Sequence, residues 1–190
     1  MPPDSNSPLL LRRETSVMLA VDLQYSLLLV IHEAERVIRN ATLLLRSAGI
    51  MRVPRLLTTQ YAKGLGNLHR EIDRVRDGVQ VLDKSNFSCF GAHGFLPALE
   101  AVAPQADTLL IFGVESHICV AQTALGALEA GLQVHVAADA VSSRTSENWQ
   151  LGLKRMERAG AVISSTEMMV FELLGRAGTP EFRAIHPLVK

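Results

Sequence analysis

Apolar residues along this chain follow two alternating rhythms. Short, nearly unbroken apolar runs read as buried strands, and between them the apolar positions recur at helical spacing. "SVMLAVD" (Ser16–Asp22) is the first such run, rich in Val, Met, Leu and Ala. "VPRLLTT", "VQVLDK", "TLLIFGV", "LQVHVAAD" and "AVISST" follow it in order. From about Glu33 to Ala48, Val37, Ile38, Leu44 and Leu45 share one helical face, and Gly49 supplies the stop. Further helical patterns cover Phe95–Ala103, Ile118–Ala130, Ser146–Ala159 and Glu167–Leu174. Strands alternating with helices predict a parallel sheet covered on both faces. With right-handed crossovers this becomes an α/β, three-layer αβα sandwich around a six-stranded parallel sheet, Rossmann-like in outline.

In open parallel sheets, ligands bind beyond the carboxyl ends of the strands, where the strand order switches. The residues just after each apolar run are therefore the ones to weigh. The first run ends in Asp22, the third in Lys84, and the fourth leads through a tight turn to Cys119. A carboxylate, an ammonium and a thiol thus stand at three strand ends. Each alone has a plain explanation: a turn aspartate, a surface lysine, a small buried hydrophobe. Together they make a nucleophile with a base and a countercharge. At the start of a helix and beside Lys84, the Cys119 thiol is expected to be held as a thiolate.

Composition narrows the alternatives. The 190 residues suit one domain; 48% are hydrophobic and 20% charged, which excludes a disordered chain. Formal net charge is zero, so nothing in the charge points to nucleic acid or a membrane surface. With only two cysteines, neither a disulfide framework nor a CxxC metal site is expected. "MPPDSNSPLLLRRETS" does not have the order of a signal peptide, so residues 1–15 are expected to be a flexible leader to one domain over 16–190, in a cytoplasmic protein. The six histidines are scattered without metal-ligand spacing, and "DLQYSLLL" after the first run holds no glycine for a dinucleotide phosphate. No metal and no cofactor is expected.

The segments "LAVDLQ", "LDKSNFSCFG" and "FGVESHICVAQTALGALEAGLQVHVAADAVSSRT" resemble the isochorismatase-like cysteine hydrolase superfamily. They look most like the small branch typified by isochorismatase domain-containing protein 2. The resemblance runs from about Ser16 onward and includes "TTQYAKGLG" and "FRAIHPLVK". It implies a triad of Asp22, Lys84 and Cys119 that hydrolyses C–N bonds of small amide-like molecules through an acyl-enzyme. It also implies a cis peptide between Val114 and Glu115, with the backbone N–H groups of Glu115 and Cys119 as the oxyanion hole, and a homo-oligomer, dimer or higher. Gln60 and Tyr61 stand where the nicotinamidases of this superfamily keep metal ligands, so a metal-independent reaction is expected. Gln24, Tyr61, Phe87, Phe90, His117 and Ile118 are candidates to line the substrate pocket. Two other readings stay open: a binding or scaffold protein that keeps the fold, and a redox-reactive thiol at Cys119 with Cys89 as resolving partner.

Overall fold

The computed structural model describes residues 10–190. Six strands form one parallel sheet: β1 (Ser16–Val21), β2 (Arg55–Gln60), β3 (Val81–Lys84), β4 (Thr108–Val114), β5 (Gln133–Ser142) and β6 (Val162–Ser164). Their order across the sheet is β3-β2-β1-β4-β5-β6. The chain builds outward from β1 through β2 to β3, then returns to the middle and lays β4 along the other side of β1. The switch point is therefore the gap between the carboxyl ends of β1 and β4. Both strands are buried along their whole length, as continuous apolar runs covered on two faces must be.

Helices cover the two faces. α2 (Ala34–Met51), α4 (Arg70–Val75), α8 (Thr166–Leu174) and α9 (Pro180–Val189) pack together as one layer around α2. α5 (Phe95–Val102), α6 (Ala121–Glu129) and α7 (Ser146–Arg158) belong to the other, joined by a short 3₁₀ turn at Cys89–Gly91. Two four-residue helices, α1 (Tyr25–Leu28) and α3 (Ala62–Leu65), sit in the loops after β1 and β2. The sheet is the three-layer arrangement that the alternating pattern predicts, and it adds α1, α3, α4 and α9.

Two differences from the sequence reading concern the ends of elements. β5 runs on to Ser142, past the predicted end at Asp139, because its carboxyl half pairs again with β4 after an irregularity near Gly113. Residues 11–15 are not a free leader. Leu11 is buried, its N–H donates to Glu172 Oε2 at 3.1 Å, and Arg13 Nη2 donates to the Leu174 carbonyl at 3.1 Å. That arginine serves the open carbonyls at the end of α8, where positive charge is favoured. The rest of the expected leader, residues 1–9, lies outside the described residues.

One glycine fixes the spacing at the switch point. Gly113 has φ 121°, and a Cβ there would fall on the Val21 carbonyl of β1. No other residue allows the two strands to approach so closely.

Candidate active site

Each of the three strand-end residues is delivered by its own strand. β1 ends at Val21, and Asp22 turns the chain with φ 51°, a left-handed conformation uncommon for a non-glycine residue. The turn buries the carboxylate completely. Lys84 is the last residue of β3, in register with Gln60 at the end of β2. Its Nζ donates to Asp22 Oδ2 at 2.6 Å, and the lysine is only 4% exposed. Thr58 Oγ1 donates to the other carboxylate oxygen at 2.8 Å. The buried pair is thus satisfied on both oxygens, the condition under which a desolvated ion pair is tolerated.

Cys119 lies across the switch point. Residues Ser116–Val120 form a π-helical turn between β4 and α6, closed by the Val120 N–H donating to the Glu115 carbonyl at 3.2 Å. Such turns recur where a side chain must be aimed. Glycine again makes room: a Cβ on Gly152 of α7 would come within 2.7 Å of Ser116 C and 2.8 Å of His117 N. Ser116 Oγ donates to the Trp149 carbonyl at 3.0 Å and ties the turn to the same helix. The Val114–Glu115 peptide is cis, and the Glu115 carboxylate accepts from Arg144 N at 2.9 Å and Arg144 Nε at 3.2 Å.

The expectation of a resting thiolate is corrected. Burial first, and then the negative charge of Asp22, push the Cys119 thiol up to about 12, against the opposing pull of Lys84. Lys84 already donates to the Asp22 carboxylate at 2.6 Å, so its charge does not offset the loss of water around the sulfur. Cys119 rests as a protonated thiol. Cys89 is fully buried, and burial raises its thiol to about 11.

Two residues to which the sequence reading gives no catalytic or pocket role stand inside the site, although it marks Gln60 as occupying a metal-ligand position of the nicotinamidases. Gln60 Oε1 accepts from Lys84 Nζ at 2.8 Å and lies 3.9 Å from Cys119 Sγ. Thr58 is the partner of Asp22 already described. Both were visible as polar residues two apart near the end of an apolar strand, on one face of β2.

The candidate pocket residues divide. Gln24 is fully buried and does not line a pocket. Its amide is spent on main chain, accepting from Gln60 N at 2.7 Å and donating to the Gln60 and Gly66 carbonyls at 3.1 and 2.8 Å. Phe90 packs edge-on to Phe95 at 5.2 Å, and a Cβ on Gly126 of α6 would touch it. It belongs to the packing of α5 on α6. Tyr61 and Phe87 are more than half exposed, on the loops that follow Gln60 and Lys84. His117 Nδ1 lies 2.9 Å from Ser143 Oγ, and Ile118 is partly buried against the core.

An open groove of about 780 Å³ lies elsewhere, between α2, α4 and the end of α9. It holds none of the three strand-end residues. Among the described residues, no three His, Cys, Asp or Glu side chains come together as metal ligands. No helix among them is long and apolar enough to cross a membrane.

Comparison with known proteins gives the same frame. The chain is 37% identical over 183 residues to the secreted isochorismatase effector Isc1 of Phytophthora sojae, covering 93% of this chain and 85% of that one. It is 37% identical over 158 residues to isochorismatase domain-containing protein 2 of Bos taurus, covering 82% and 74%. A structure of YcaC from Pseudomonas aeruginosa with hexane-2,5-diol and covalent acrylamide superposes with a TM-score of 0.88 at 26% identity, over 97% and 93% of the two chains. The isochorismatase domain profile matches residues 16–168, so with a sheet, a switch point and relatives that agree, the chain belongs to the isochorismatase-domain family.

Proposed function

We propose that this protein is a metal-independent cysteine hydrolase that cleaves the C–N bond of a small amide-like molecule. The observation that carries the reading is the junction of three strand ends. Asp22 and Lys84 pair at 2.6 Å, and Gln60 Oε1 stands between Lys84 at 2.8 Å and Cys119 Sγ at 3.9 Å. The related YcaC structure that carries covalent acrylamide supports the same class of ligand.

Because the thiol rests protonated, it needs a base at the moment of attack. Asp22 takes the Sγ proton as Sγ bonds to the carbonyl carbon and the carbonyl electron pair moves to oxygen. The backbone N–H groups of Glu115 and Cys119 receive that oxyanion. On collapse the C–N bond breaks, Asp22 returns the proton to nitrogen, and the amine leaves. Water, deprotonated by Asp22, then cleaves the thioester and restores the thiol. Lys84 holds the Asp22 carboxylate in place through the 2.6 Å contact. Tyr61, Phe87, His117 and Ile118 wall the pocket, and the protein works as a homo-oligomer.

A panel of primary amides, carbamoyl compounds and ureas, followed by ammonia release, tests this directly. Turnover of at least one compound is expected, abolished by Cys119→Ala and unchanged by exhaustive EDTA. Release that survives Cys119→Ala would overturn the cysteine mechanism. Loss in EDTA with recovery on added zinc or manganese would overturn metal independence.

A further inference from the structure

The side-chain amide of Gln60 is fixed from both ends. Its Oε1 accepts from Lys84 Nζ at 2.8 Å, and its Nε2 donates to the Ser85 carbonyl at 2.9 Å. An ammonium only donates and a carbonyl only accepts, so the two ends of the amide are assigned by their partners and cannot be exchanged. The main chain of residue 60 is held as firmly, because the buried Gln24 amide binds both its N–H and its carbonyl, at 2.7 and 3.1 Å. Of the two lone pairs on Oε1, Lys84 takes one. The other faces Cys119 Sγ at 3.9 Å, too far for more than a weak contact. Cys119 Sγ donates to it only across this long sulfur contact, so an oriented acceptor stands weakly used beside the sulfur and is freed when the thiol proton moves to Asp22.

We propose that this lone pair is the receptor for a substrate N–H, so that Gln60 makes the site select primary amides over the matching esters. The proposal rests on the hydrolase reading and deepens it. With the carbon that bonds to Sγ held over the sulfur, whether the carbonyl carbon of a substrate or the terminal carbon of an acrylamide, the amide nitrogen lies within reach of Gln60 and donates one N–H to Oε1. An ester puts an oxygen lone pair against the lone pair of Oε1. A site built around a fixed acceptor rejects the analogue that lacks the donor, because the acceptor is then left unpaired.

Acrylamide and methyl acrylate test this without requiring turnover. In either addition Sγ bonds to the terminal carbon and the thiol proton ends on the carbon next to the carbonyl. Labelling rates at Cys119, measured by peptide mass mapping, are each divided by the rate with free cysteine under the same conditions. The corrected rates are expected to favour acrylamide by about tenfold, the size of one good hydrogen bond. Gln60→Met is expected to bring the ratio close to unity, and Gln60→Glu, which keeps an acceptor, to retain the preference. A ratio near unity in the unaltered protein, or a preference that persists in Gln60→Met, would overturn the proposal. Should Gln60→Met not fold, the unaltered protein still decides. Ammonia release judges the hydrolase reading separately, so either idea can fail while the other stands.

Discussion

Asp22 holds Lys84 in the structure, and in the proposed mechanism the same carboxylate also moves the proton. Replacing it with Asn keeps the shape and removes the base, and the loss in turnover is expected to be at least about a hundredfold. Asp22→Ala also strands the Lys84 ammonium, which is almost fully buried. Breaking a buried pair on one side costs about 3–5 kcal/mol, so this variant should show a clearly lowered midpoint in urea while Asp22→Asn loses less. The thiol gives a second prediction. With Cys119 raised to about 12, iodoacetamide labelling at pH 7 to 8 should be slower than for free cysteine and should keep accelerating well beyond pH 9. Cys119, 7% exposed, should still label before Cys89, which has no exposed surface. A plateau near neutral pH would mean the sulfur is a resting thiolate after all.

Single elements show what can be read from a sequence and what cannot. β4 is the most legible strand, because all seven residues are buried and every one after Thr108 is apolar, a run too short for a buried helix. The polar end of β2 is different. Thr58 and Gln60 face a polar site, so their residue types look like the fading of a strand into a loop, and their importance emerges only when β3 delivers Lys84 beside them. α1 and α3 are too short to show a period, and tertiary contacts hold them in place. α9 was obscured by Pro187 within it and glycines before it. The Asp22, Lys84 and Cys119 positions were legible because strand ends can be located even when their contacts cannot. The protonation state of Cys119 was not, since burial is a property of the packed molecule. α7 yields a prediction of its own: Gly152→Ala would push the helix off the π-helical turn. Overpacking of this kind costs about 1–3 kcal/mol, and here it should lower kcat more than it changes KM.

Over the whole molecule, the two thiols act on stability in the same direction. Their ordinary value is 9.0, and the fold raises them to about 11 and about 12. Between these limits the folded protein keeps protons that the unfolded chain has lost. Stability from the thiols is therefore complete below pH 9 and declines as pH rises toward 11 to 12. Urea midpoints from pH 8 to 11 should fall more steeply in the unaltered protein than in Cys89→Ser; equal slopes would show that other groups govern the alkaline limb. The ion pair has a wider reach. Lys84 ends a four-residue strand at the border of the sheet, a strand bonded only to β2, while Asp22 extends the central strand β1. The chemistry is thus fastened to the part of the sheet most ready to fray. On gentle warming the proposed activity should be lost reversibly, by release of that border strand, at temperatures where far-UV circular dichroism still reports an intact protein.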